Sequence, residues 1–157
     1  DDSKRLTAAQ REALYPMVVE QAEAWALGLA TVEEIDRLNI LQATRLAHRR
    51  AILGLRRRPA LVLVDGRYPA DVPLPQLVVI DGDAICASIA AASIVAKITR
   101  DRLMADVAAH YPQYGFERHK GYSTRAHREA LDRYGPTPLH RRSFLPVRFR
   151  QEVLPLP

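Results

Sequence analysis

Two short apolar runs dominate the middle of the chain. Leu61 to Val64 stops abruptly at Asp65-Gly66, and Leu77 to Ile80 stops at Asp81-Gly82-Asp83. An unbroken apolar run closed by a turn signal predicts a strand buried on both faces. A helix rich in Ala and Ile follows, from Ser88 to about Ala108. Ahead of the runs the spacing is helical. Thr7 and Gln10 have the spacing of a capping box before a helix from Ala8 to about Ala22, and Thr31 and Glu34 repeat it before a short helical turn. Between them Trp25 to Ala30 is short and apolar and is expected to be a strand. Asn39 is placed to cap a longer helix, Ile40 to about Leu53. There Ile40, Leu41, Ala43, Leu46, Ala47 and Ile52 form one apolar face, with Arg45, Arg49 and Arg50 pointing away and Gly54 as the stop. A proline-bearing loop, Tyr68 to Pro75, joins the two runs. An aromatic, turn-rich segment, Tyr111 to Phe116, then leads to a helix from about Thr124 to Tyr134, stopped by Gly135-Pro136. Thr137 to Pro157 holds four prolines and no predicted element, and beyond Val147 it is a candidate for disorder.

The order helix, strand, helix, strand, strand, helix, helix reads as α/β with parallel strands. Ligands of open α/β sheets bind at the carboxyl edge of the strands. Asp65 and Asp83 lie where that edge is predicted and are the candidate functional residues, although Asp-Gly is also an ordinary turn pair. Sheets usually hold about four to six strands. The low strand count therefore raises the expectation that further N-terminal strands lie outside this sequence.

Composition narrows the class. A chain of 157 residues, 48% hydrophobic and 26% charged, reads as one soluble globular domain. No apolar run is long enough to span a bilayer, and no secretory signal is visible at the start. One cysteine, Cys86, excludes an internal disulfide and a cysteine-built zinc site. Its apolar setting suggests a core position, and a cytoplasmic protein is expected. The net charge of +5 is weak support for a polyanionic partner. Its clustering says more: Arg56-Arg57-Arg58, Arg118-His119-Lys120, Arg125 to Arg128 and Arg141-Arg142 lie mostly in the second half. The five histidines show no HxxxH or HExxH spacing and read as structural or phosphate-side residues.

Seven stretches occur in order with ordinary gaps: DSKRLT at 2–7, LNILQAT at 38–44, LVDG at 63–66, GD at 82–83, SIAAASIVAKITRDRLM at 88–104, YPQYGFERHKGYSTRAH at 111–127 and GPTPLHRRSF at 135–144. Together they resemble the bacterial ribonuclease HII family, the type 2 ribonucleases H, over nearly the whole chain as far as about Val147. The resemblance implies a ribonuclease H-like fold, with a central mixed sheet flanked by helices and the N-terminal strands missing from this chain. Residues 1–147 would form the catalytic domain and residues 148–157 a proline-containing tail. The implied activity cleaves the RNA strand of RNA–DNA hybrids and nicks duplex DNA 5′ of an embedded ribonucleotide, leaving 5′-phosphate and 3′-hydroxyl ends. A monomer without membrane contact is expected.

The implied site uses four carboxylates with Mg²⁺ or Mn²⁺. Asp65 and Asp83 match the third and fourth, and the Asp-Glu pair that supplies the first two would precede Asp1. The chemistry suits those residues. Two hard cations about 3.5–4 Å apart can serve both ends of an in-line displacement at phosphorus, and both ions prefer oxygen ligands. With two carboxylates, weak metal binding and little catalysis are expected. Ser3 and Lys4 match backbone-contacting residues of the family. Tyr122 of HKGY matches the tyrosine that stacks on the sugar at the junction, in keeping with recognition by shape and the 2′-hydroxyl. Lys120, Arg141 and Arg142 are candidate phosphate contacts, with a solvated basic face as the plainer reading of each.

Two departures stand out. The larger is the absent first strand, with its Asp-Glu pair and the GRG loop that the resemblance implies; the other is local. The family usually carries a lysine before GD, and here that position is Asp81. The residues after it, Ala84-Ile85-Cys86-Ala87, are more apolar than usual. An anion beside Asp83 removes a phosphate partner and adds repulsion, which puts substrate affinity in doubt. Two other classes compete: a non-catalytic nucleic-acid-binding remnant, and a small-molecule α/β enzyme using Asp65 and Asp83. The second ranks low, because no glycine-rich phosphate loop follows either run.

Overall fold

Local capping decides where the first helices begin. Thr7 accepts a hydrogen bond from the Gln10 amide at 3.2 Å while Gln10 Oε1 accepts from the Thr7 amide at 2.8 Å, and α1 runs Ala8–Gln21. Thr31 and Glu34 repeat the box, at 3.2 and 2.9 Å, ahead of α2, Val32–Leu38. Each such cap is worth about 1 kcal/mol. A single residue, Asn39, at φ 69°, separates α2 from α3, Ile40–Leu53. The computed structural model describes residues 6–145 and 147. It continues with β1 (Val62–Asp65), β2 (Gln76–Val79), a helical turn α4 (Gly82–Ile85) and the long α5 (Ala87–His110). A 3₁₀ turn (Pro112–Tyr114), α6 (Phe116–His119) and α7 (Arg125–Tyr134) complete it. Ser3 and Lys4 lie outside the described residues, as does the tail 148–157.

The chain divides into two compact units, residues 1–30 with 42–99, and residues 31–41 with 100–157. The first holds the sheet. Among the described residues it has two parallel strands, with Val62 opposite Gln76 and Asp65 opposite Val79. The apolar runs therefore become strands, displaced by one residue from the predicted bounds, and the expected mixed sheet has no antiparallel member among the described residues. Burial on both faces is not found. Val64 is buried, whereas Leu77 is 54% and Ile80 60% exposed. An apolar run records what a strand can tolerate, and only further elements on both faces could cover it.

Trp25 to Ala30 also differs from expectation. It is extended and its exposure alternates, with Trp25, Leu27 and Leu29 outward and Ala26, Gly28 and Ala30 half-buried, yet it pairs with no strand among the described residues. It lies instead on the backbone of α3. A Cβ on Gly28 would fall 1.9 Å from the Ala47 carbonyl oxygen and 2.6 Å from the Ala51 nitrogen. The arginines of α3, expected to point away, grip neighbouring backbone: Arg45 Nε donates to Pro69 O at 3.2 Å and Arg50 to Leu29 O at 2.6 Å, while Arg49 pairs with Asp71 at 3.0 Å. The apolar face of α3 is only partly used, since Ala43 is buried and Ile40 and Leu41 are exposed.

The second unit has an aromatic core. Ala108, Tyr114, Phe116, Ala130, Leu131 and Val147 are buried together, with Met104, Val107 and Tyr111 against them. Tyr114 and Phe116 stack at 5.3 Å. His119, His127 and His140 are buried at the edge of these rings. Thr124 caps α7 by accepting from the His127 amide. The segment after Gly135, predicted to be irregular, is tied down by turns, with His140 N–H donating to Thr137 O at 3.0 Å and Val147 N–H to Phe144 O at 2.9 Å.

Two predictions follow from this packing. Gly28→Ala should lower stability by about 2 kcal/mol or more, because the new methyl meets backbone atoms that cannot turn aside; urea unfolding measures it, and an unchanged midpoint would show that the segment does not rest on α3. The second concerns His140. Burial, aided by the adjacent His127 ring and only partly offset by a backbone hydrogen bond with Thr137, pushes its imidazole down from 6.5 to about 4. Between those values the unfolded chain takes a proton that the folded chain refuses. Stability should therefore fall as pH drops below about 6.5, levelling near 4, by on the order of 3 kcal/mol for this group. Urea midpoints across that range check the slope, and His140→Gln should flatten it.

Candidate active site

The first unit brings Asp65 and Asp83 to one place. Asp65 is the last residue of β1, and the ladder closes just beyond it with Gly66 N–H donating to Val79 O at 2.9 Å. Asp65 is exposed, and its Oδ1 accepts the Gly82 amide at 2.8 Å. Asp83 is the next residue, in the first turn of α4, and is 5% exposed. The carboxylate at the end of one strand thus holds the turn beyond the next. That turn is closely packed around its glycine. A Cβ on Gly82 would lie 2.5 Å from Ile89 Cδ1 and 3.3 Å from Asp65 Oδ1. Asp81, where the family usually has lysine, takes the left-handed conformation at φ 53° that lets the chain turn from β2 into α4. Cys86, expected in the core, is half-buried at the end of that turn.

His48 lies near enough to Asp65 to feel its charge, and no sequence spacing announces it. Burial lowers its pKa, while the attraction of the Asp65 carboxylate raises it, and the net direction is down. A neutral imidazole beside Asp65 does not compete for its charge as an imidazolium would.

Lys120, Tyr122, Arg141 and Arg142 lie in the second unit. Tyr122 is 58% exposed, with the Arg100 guanidinium 5.2 Å from its ring centroid. That cation–π contact braces one face of the ring. Lys120 and Gly121 are both left-handed, at φ 50° and 79°, in the turn that presents Tyr122. His127 and His140 meet at 3.0 Å and so bring this turn next to the segment that begins with Arg141. That segment is anchored by Asp36, a residue the motifs did not single out. Its carboxylate accepts the Arg142 amide at 2.8 Å, the Ser143 amide at 2.9 Å and the Ser143 hydroxyl at 2.6 Å. Burial resists its charge, but these donors together hold its pKa below the usual range. Arg141 lies over Phe144 at 5.2 Å. Several other cations already have acids beside them, Arg57 with Glu23, Arg118 with Glu117 and Arg125 with Glu129, so the basic clusters are weaker anion traps than their sequence suggests.

The donor chemistry of Asp65 and Asp83 suits a hard divalent cation. Both donors are carboxylate oxygens, and Gly82 fixes one of them in place. Mg²⁺ is commonly held by one or two carboxylates, with waters and substrate phosphate as its remaining ligands. Among the described residues no group of three or more His, Cys, Asp or Glu side chains is gathered to hold a metal ion, so the pair is a partial set. No helix among them is long and apolar enough to cross a membrane.

The fold places the chain among the ribonuclease H-like α/β proteins: the ribonuclease H2 of Pyrococcus horikoshii OT3 superposes with a TM-score of 0.76 at 27% identity, covering 96% of this chain and 79% of that one. The family model for ribonuclease HII matches residues 1–147. A ribonuclease HII of Paracoccus denitrificans is 60% identical over 148 residues, 94% of this chain and 70% of its own length. One from Desulfitobacterium hafniense is 51% identical over 154 residues, 98% of this chain and 59% of its own length. The chain belongs to the ribonuclease HII family, and it spans about three-fifths to seven-tenths of the length of these relatives.

Metal binding at the corner has a direct test. An ion bound only by the folded chain stabilises it, so millimolar Mn²⁺ should raise the melting temperature by a few degrees. Asp65→Asn and Asp83→Asn should each remove most of that gain. A gain kept by both variants would put the ion elsewhere.

Proposed function

We propose that this chain is the part of a metal-dependent endonuclease that carries Asp65 and Asp83, acting on the RNA strand of RNA–DNA hybrids and nicking DNA 5′ of an embedded ribonucleotide. Residues 1–147 are its catalytic region. The observation that supports the reading is the hydrogen bond from the Gly82 amide to Asp65, which draws the turn carrying Asp83 to the end of β1. Divalent ions held there, Mg²⁺ or Mn²⁺, would supply positive charge for the attacked phosphate and the departing 3′ oxygen. Asp65 and Asp83 provide hard oxygens for them.

Substrate recognition is assigned to the second unit. Tyr122 offers a braced, exposed ring to the sugar at the junction, which suits discrimination through the 2′-hydroxyl and sugar shape. Lys120, Arg141 and Arg142 offer charge to phosphates. Ser3 and Lys4 are assigned backbone contacts on the family motif alone. The products carry 5′-phosphate and 3′-hydroxyl ends, and the protein acts as a cytoplasmic monomer.

The alternative is a nucleic-acid-binding remnant, favoured by the partial ligand set among the described residues. A nicking assay separates the two. The substrate is a DNA duplex with one internal ribonucleotide, in Mg²⁺ or Mn²⁺, with Asp65→Asn as control. The expected result is a slow metal-dependent nick 5′ to the ribonucleotide, reduced at least tenfold by the substitution. Binding without any nick would make this chain a remnant.

A further inference from the structure

Three buried histidines lie under the turn that presents Tyr122, and their hydrogen bonds leave one assignment for every proton. The chain of contacts starts at a backbone donor. Thr137 N–H donates to His140 Nδ1 at 2.9 Å, with the Thr137 hydroxyl also 2.8 Å from that nitrogen. Nδ1 therefore accepts, and the neutral ring carries its proton on Nε2. That nitrogen is 3.0 Å from His127 Nε2. The chain ends at a backbone acceptor, because His127 Nδ1 lies 2.9 Å from the Tyr122 carbonyl oxygen. A carbonyl can only accept, so His127 carries its proton on Nδ1 and takes the His140 proton at Nε2. An amide at one end and a carbonyl at the other fix both tautomers. An added proton on either ring would set N–H against N–H.

His119 supports the same turn from the other side. Its ring stacks on His127 at 4.5 Å, its Nε2 donates to Tyr114 O at 2.8 Å, and its Nδ1 accepts the Gly121 amide at 3.3 Å. The Tyr122 amide in turn donates to His119 O at 2.8 Å. The peptide after Tyr122 is thus gripped by the His127 imidazole and the one before it by the His119 backbone carbonyl, in a turn with two consecutive left-handed residues that has little stability of its own.

We propose that His127, set in its Nδ1–H tautomer by His140, is a positioning residue for Tyr122 and so for the choice of a ribonucleotide over a deoxyribonucleotide. The inference rests on the reading of Tyr122 as the sugar contact. His127 touches no substrate. It acts by holding the Tyr122 carbonyl, which sets where the exposed ring stands beside Arg100. The depressed pKa of His140 agrees with a pair that excludes protons.

The test compares two amides that each copy one ring nitrogen. In His127→Asn the side-chain NH₂ falls near Nδ1 and can still donate to the Tyr122 carbonyl. In His127→Gln the amide falls near Nε2 and leaves that carbonyl without the donor. Fluorescence anisotropy on the full chain gives the affinity for a DNA duplex with one ribonucleotide and for the same duplex in all-DNA form. The ratio should stay within about twofold in His127→Asn. It should drop several-fold in His127→Gln, to the level of Tyr122→Ala, with the all-DNA affinity unchanged. A ratio lost in Tyr122→Ala but kept in His127→Gln overturns the positioning role and leaves the Tyr122 reading intact. A ratio that Tyr122→Ala does not alter, or none in the unaltered chain, overturns both. If a variant does not fold, imidazole ¹⁵N shifts of the unaltered chain decide: a protonated Nε2 on His127 at neutral pH overturns the proposal, and the Nδ1–H form there with Nε2–H on His140 upholds it.

Discussion

The first unit depends on one hydrogen bond between non-neighbours. Asp65 ends its strand and reaches the amide of Gly82, beyond the other strand, at 2.8 Å. It adds a tie beyond the ladder to two short parallel strands, and a two-stranded pair is marginal alone. With it the end of β1, the left-handed Asp81 and the buried Asp83 form one corner. Chemistry and architecture share that residue: the carboxylate assigned to metal is also the one that fixes the turn. A substitution there can lose activity through geometry as well as charge, so Asp65→Asn, which keeps an acceptor for the Gly82 amide, is a cleaner probe than Asp65→Ala.

How much of this was legible in the sequence depended on distance along the chain. The capped helices were, because Thr7, Thr31 and Thr124 bond to amides three residues away. The strands were found to within a residue, because Asp65-Gly66 and Asp81-Gly82-Asp83 punctuate them. Trp25 to Ala30 was read correctly as extended and wrongly as a strand. Alternation records that a segment has two faces, and whether the inner one meets a strand or a helix is decided by residues far away. The inner face here is Ala26, Gly28 and Ala30, small enough for a helix backbone to approach.

The site divided in the same way. Ordered motifs led to Asp65, Asp83 and Tyr122, since each sits in a local signature. Asp36 lies more than a hundred positions from the amides it holds, and His48 is on a helix that precedes both strands. Nothing local marks either. The histidines lack metal-ligand spacing. Their partners turned out to be backbone groups and one another, which no side-chain spacing can reveal.

Gly28 carries one more consequence. Side chains in an extended segment change face at every residue. One residue inserted or removed between α1 and Gly28 would bring Leu27 or Leu29 to the place where only a hydrogen fits against Ala47. The segment is thus held in one register against α3. Relatives with good alignments elsewhere should carry their gaps on either side of this stretch and not within it.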